Sequence, residues 1–351
     1  MRATLQKNSL ATSIQFNSRQ ALMSKCRSTQ QVGFTLVELL VALAISTVVV
    51  IAAFSGLIIS RQGFTAVDAS SQLRDNARFA GDLLQRLVVQ TGYMSDRTIS
   101  TPVGADATSN PNPAPNVSGF NNATASSSDP TGSSTSRGSI SLDGSDVLVL
   151  RFQANETFSG SGKTDGSTID CAGNSITSPA VNRQDRVWSV LHVATSIIDG
   201  EPSLYCSVGK DNPQPIIKGV ETFQVLYGVD NVVPGVAPVA NTAIANVPNL
   251  YLRADQMTVP GDPVGTNANW ERVRSIRVGM VLRGPLGSSP VASDASKVYY
   301  PFGLGAGADS GTKGSSLSSS TDQGTIFKPG SDTRLRQTVT FTIHLRNDQN
   351  V

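Results

Sequence analysis

The sequence predicts an α+β protein: one long N-terminal helix, half membrane-spanning and half amphipathic, packed on an antiparallel β-sheet head. Three observations predict it. The 22 residues between Glu38 and Arg61 carry no charge. Behind them, apolar residues recur at helical spacing as far as Thr91. From Asp146 onward the apolar runs become short, β-branched and often alternating, with Gly- and Ser-rich stretches between them.

The uncharged run "LLVALAISTVVVIAAFSGLIIS" reaches about 33 Å as a helix, enough to cross a hydrocarbon core of about 30 Å. Residues 1–33 hold Arg2, Lys7, Arg19, Lys25 and Arg27 but no acid, so the N-terminus is expected to stay cytoplasmic and the rest to be exported. Without those residues the net charge of +2 becomes −3, from 23 basic and 26 acidic side chains. The basic character therefore belongs to the leader and is no argument for nucleic-acid binding. A cleaved secretory signal would end in a small-residue site after its apolar region, whereas Gly33 stands before this one. Cys26 also precedes the run, which excludes a lipoprotein signal. Glu38 remains to be explained, because a carboxylate at such a depth costs roughly 2.5–3.5 kcal/mol on insertion scales.

"GFTLVELLVALAI" resembles the class III signal of type IV pilins and type II secretion pseudopilins. The resemblance implies that a prepilin peptidase cuts between Gly33 and Phe34 and that Phe34 becomes N-methylated. It also makes Glu38 a register device for assembly, pairing with the ammonium at Phe34 of a neighbouring subunit. A buried charge with a partner is tolerable where a lone one is not. Two departures stand out. The 33-residue leader is long for that family, and a start at Met23 would give a more usual length. No proline occurs between Phe34 and Ser100, so Gly56 and Gly63 are the expected weak points of the helix.

The second half of the helix is amphipathic. Leu73, Ala77, Ala80, Leu84, Leu87 and Thr91 draw one stripe, and Arg78, Asp82 and Arg86 lie opposite, spaced for i,i+4 ion pairs. Gly92 is expected to end it. The organisation that follows is a leader over 1–33, a helix over 34–92 (transmembrane over about 34–60), a low-complexity loop over 93–140 and a β-rich periplasmic head over 141–351.

In the head, "DVLVLRF" (146–152), "RVWSVLHVA" (186–194), "VETFQVLYGV" (220–229), "SIRVGMVLR" (275–283) and "TVTFTIHLR" (338–346) read as strands of a sheet with one face covered. The stretches 95–139 and 286–334 read as long loops. Cys171 and Cys206 most simply form one disulfide in an oxidising compartment, with two buried free thiols as the alternative. "IDCAG", "SLYCSV", "IKGVETFQVLYGVD", "VRSIRVGMVLR" and "RQTVTFTIHLRN" together resemble a PilW-type minor pilin. That family implies an inner-membrane protein with a periplasmic head that later enters the pilus. There it helps to prime and assemble filaments at the tip, supporting twitching motility, adhesion and DNA uptake. The implied partners are prepilin peptidase, other minor pilins, the major pilin, a tip adhesin and inner-membrane lipid, with no direct nucleic-acid contact. A minor pseudopilin of type II secretion is one alternative. A surface-binding module using the long loops is another.

Enzymatic chemistry finds no support. The two histidines, His192 and His344, fall in expected strands, and no HExxH, GxSxG, P-loop or CxxC motif is present. "GLGAGADSG" (303–311) has no helix behind it. "DGSD" (143–146) and "YGVDN" (227–231) hold too few oxygens for a calcium loop. No cofactor, metal or catalytic residue is expected.

Overall fold

One helix of 55 residues, α1 (Leu36–Gln90), runs unbroken through Gly56 and Gly63. The computed structural model describes residues 33–95, 98, 112–123, 125, 144–209, 211–240, 242–293, 296–303, 326–347 and 349. Cys26, the leader before Gly33, and much of the loops expected over 95–139 and 286–334 lie outside the described residues, as does most of the Gly-rich stretch 303–311. The chain divides into two units, one ending at Leu57 and the other starting at Ile58.

The first unit is the apolar start of α1, whose leucine, valine and isoleucine side chains stand exposed. Its hydroxyls need no outside partner: Ser46 donates to Ala42 O, Thr47 to Ala44 O (2.8 Å) and Ser55 to Ile51 O (2.9 Å). Backbone satisfied within the helix and hydroxyls folded back on it are what a hydrocarbon surrounding demands.

The second unit begins with the rest of α1, where Ala69, Leu73, Ala80, Leu84, Leu87 and Val88 are buried. The expected stripe is there and starts a turn earlier, at Ala69, while Ala77 is only half-buried. Arg78, Asp82 and Arg86 are exposed but form no ion pair with each other among the described residues. Among the described residues an i,i+4 pair joins Asp332 and Arg336, at 2.6 Å. After α1 the chain turns at Gly92, whose φ of 76° is open to glycine at little cost.

The stripe packs against two antiparallel sheets. The first has the order β1-β2-β3-β4-β5, formed by Val117–Phe120, Val147–Phe152, Val187–Thr195, Pro202–Val208 and Gln214–Lys218. The second contains β6 (Val220–Val229), β7 (Leu250–Leu252), β8 (Val273–Arg283) and β9 (Arg336–His344), in the order β7-β6-β8-β9. Two short helices, α2 (Ala254–Met257) and α3 (Pro263–Trp270), connect β7 to β8. Leu84 and Leu87 of α1 share one buried cluster with Leu148, Leu191 and Leu204 of the first sheet and Phe223, Ile276 and Met280 of the second.

Two features refine the expected helix and antiparallel head. The head is two sheets, and the chain passes between them at Gly219. Its N–H donates to Pro202 O (2.8 Å) in the first sheet, and its carbonyl accepts from Arg283 N (2.7 Å) in the second. At φ 80°, with Arg283 O only 2.4 Å from where a Cβ would sit, no other residue fits there without strain. The stretch 93–140 is also not loop throughout, because it supplies β1. Arg151 on β2 donates to Pro115 O (2.7 Å) and Ser118 Oγ (3.0 Å), while Arg186 donates to Asn116 Oδ1 (2.7 Å). These two guanidiniums pin the Pro- and Asn-rich segment against the sheet, which no local propensity would do.

Candidate processing and assembly sites

Gly33 and Phe34 precede the first turn of α1, and Phe34 is 88% exposed. Nothing lies within 4 Å of a Cβ built on Gly33, and its φ is outside the left-handed region. Neither packing nor backbone therefore requires a glycine there. Thr35 and Glu38 form a capping box, with Thr35 N donating to Glu38 Oε2 (2.9 Å) and Glu38 N donating to Thr35 Oγ1 (3.3 Å). The Thr35 hydroxyl donates to the same Oε2 (3.0 Å). Glu38 Oε1 accepts no hydrogen bond among the described residues. The cap is a feature that the membrane-span and signal patterns do not bring out, although T-x-x-E before an apolar run is its signature.

At the other end, two side chains fasten α1 to the head and a third closes its last turn. Asn347 Nδ2 donates to Val89 O (3.1 Å) and Thr91 O (3.0 Å), satisfying carbonyls that a helix end leaves open. Gln90 takes the amide of Ile169 on its Oε1 (3.3 Å) and donates to the Ile169 carbonyl, as a neighbouring strand would. Thr91 Oγ1 donates to Leu87 O (2.7 Å). Cys171 and Cys206 form the disulfide, tying the long β2–β3 excursion to β4.

Comparison with known proteins bears on both ends. A family model described as type IV pilus-assembly protein W matches residues 190–347, and the prokaryotic N-terminal methylation motif matches residues 30–54. The chain carries a PilW-type domain behind a prokaryotic N-terminal methylation motif. The PilW match opens within β3 and closes just beyond β9, so it takes in the whole second sheet. A solved type IV-like pilin from Thermus thermophilus is 13% identical over 79% of this chain and 98% of its own, with a TM-score of 0.36. A likeness that distant carries no argument. Among curated proteins none matches.

Within the PilW domain six charged side chains from separate parts of the chain meet. Arg283, Glu201, Arg334, Asp332, Arg336 and Glu221 close a ring of alternating charge. Its links are 283–201 (2.9 Å), 201–334 (2.8 Å), 334–332 (3.9 Å), 332–336 (2.6 Å), 336–221 (2.6 Å) and 221–283 (3.2 Å). Hydrogen bonds from Arg336 lead in holding the Asp332 carboxyl below its ordinary range. Burial pushes Glu201 the other way, but hydrogen bonds from Arg283 and Arg334 bring it below its ordinary value. No sequence pattern marks any of the six, since their meeting needs the topology. His192 is buried beside Tyr205, with ring centroids 5.9 Å apart, and burial lowers its pKa to about 4. Asp146 accepts from Asn122 N (3.0 Å) and Val225 N (2.8 Å), and Asp230 from Ala245 N (2.7 Å). Two of the three carboxylates in the stretches weighed for calcium thus bind backbone amides, and the third, Asp143, lies outside the described residues. Among the described residues no group of three or more His, Cys, Asp or Glu is arranged to hold a metal.

Proposed function

We propose that this chain is a minor pilin that helps to prime and assemble type IV pili at the filament tip, and through them supports twitching, adhesion and DNA uptake. The observation that carries the reading is the order along one chain. A methylation motif comes first, then a helix that is apolar and exposed at its start, then a PilW domain. Prepilin peptidase cuts after Gly33 and methylates Phe34, and α1 holds the protein in the inner membrane, head outward, until it enters the filament. The free Glu38 Oε1 then receives the Phe34 ammonium of a neighbouring minor or major pilin, while Oε2 keeps the cap. The role is structural, with no catalytic residue, cofactor or metal, no direct contact with nucleic acid, and a tip adhesin as a further neighbour of the head.

N-terminal mass spectrometry on sheared filaments and on the inner-membrane fraction tests this. A peptide beginning at N-methylated Phe34 in the filaments is the expected result. The same peptide confined to the membrane would point to a type II secretion pseudopilin, and an uncut chain keeping Gly33 in both fractions would overturn the reading.

A further inference from the structure

We infer that the free edge of β9 is a receptor for one extended segment of a neighbouring pilin-like subunit, which adds to the second sheet as a further strand. The other three sheet edges are blunted in the ways edge strands usually are. β1 has four residues and β7 three, and β5 carries Pro215 and faces a register shift on β4. β9 pairs with β8 through nine consecutive positions without a shift. Between Arg336 and Arg346 it has no Lys, Arg, Asp, Glu, Pro or Gly. Among the described residues, the backbone of 337–344 has no partner outside the β8 ladder. Every second residue of an antiparallel strand turns its N–H and C=O away from its neighbour, so this edge offers a row of unused main-chain groups.

The surroundings decide what can occupy it. Phe341, Thr342, Ile343 and His344 form one side of a groove of about 510 Å³, and Arg78, Gly81, Asp82, Gln85 and Val89 of α1 form the other. Four consecutive strand residues reaching the groove means that the edge itself faces it. Gly81 leaves the α1 wall low, with nothing within 4 Å of a Cβ at that position. A second copy pairing β9 with β9 would bring its own α1 wall to the same seam, and the two walls would compete for the space. A single strand needs only about 4.8 Å beside its neighbour, so it can enter where a whole sheet edge cannot. The exposed flank of β9 carries Thr340 and Thr342, which suits a partner segment rich in uncharged β-branched residues. Main-chain bonds supply such a contact and alternate side chains select it.

The occupant rests on the assembly reading; the strand receptor does not. The test is photocrosslinking in cells with full-length protein carrying p-benzoylphenylalanine in place of Thr338, Thr340, Thr342 or His344, and exposed Val181 as control position. Strand addition predicts adducts on one pilin-like partner segment whose attachment points step by two residues as the probe steps by two. Steps of three or four would mean a docked helix and overturn the inference. Adducts joining β9 to β9 of a second copy would overturn it, as would adducts no more abundant than at Val181. Stepped adducts on a protein that is not pilin-like would keep the receptor and defeat the assembly reading. N-methylated Phe34 in filaments without stepped adducts would do the reverse.

Discussion

Glu38 shows how one residue serves a chain and its assembly together. Its Oε2 closes the first turn of α1 with Thr35, and its Oε1 is left for a partner. Glu38→Gln keeps an acceptor for the cap but loses the charge, whereas Glu38→Ala loses both. Both variants should enter the membrane at least as well as the wild type, since a costly carboxylate is gone. Both should be depleted from sheared filaments while persisting in the inner membrane, as immunoblots of the two fractions would measure; equal incorporation would remove the register role. His192 gives a different residue-scale expectation. Its pKa falls from about 6.5 unfolded to about 4 folded, so the unfolded chain binds the proton first as pH drops. Stability is therefore complete above about pH 6.5 and declines toward pH 4, by about 3 kcal/mol over that window. Urea unfolding between pH 7.5 and 4.5 should show this slope in the wild type and lose it in His192→Gln.

Elements differ in how openly the sequence declares them. The start of α1 is legible because 22 uncharged residues leave few alternatives, and its second half because Leu73 to Thr91 keep one face. β2, β3, β6, β8 and β9 announce themselves through apolar and β-branched residues. β1 does not, because two residues far along the chain, Arg151 and Arg186, hold it in place. The division into two sheets is equally hidden. It turns on Gly219, one glycine among 31 in the sequence, whose meaning appears only when Arg283 is known to lie beside it. The end of α1 depends on Asn347, 256 residues after Thr91. Asn347→Ala should leave the fold intact but free the last carbonyls, a loss of about 1–2 kcal/mol. Hydrogen exchange on the full-length protein should then quicken at residues 86–92 and stay unchanged in β8, whereas uniform quickening would mean that Asn347 acts on the whole head.

At the scale of the molecule, the charged ring joins what the topology separates. Glu201 leads into β4 of the first sheet, while Glu221, Arg283 and Arg336 stand on β6, β8 and β9 of the second. The Arg336 side chain is only 1% exposed, so its charge depends on Glu221 and Asp332. Burial works against its charge, but the hydrogen bonds it donates to these two carboxylates raise its pKa. Removing one acid leaves a buried guanidinium half-matched, which typically costs about 3–5 kcal/mol for a buried pair. Glu221→Gln should therefore destabilise strongly, and Glu221→Leu combined with Arg336→Met should recover part of the loss, because two buried charges leave together. The acid dependence has a definite sign. Asp332 and Glu201 titrate below their ordinary values in the folded chain, so the ring contributes fully above about pH 4.5 and weakens as pH falls through the lowered values. Urea midpoints at pH 6 and pH 3 for the wild type, the single variant and the double variant would test both statements. If Glu221→Gln matched the wild type at pH 6, the ring would be a surface ornament and the two sheets would owe their association to the α1 core alone.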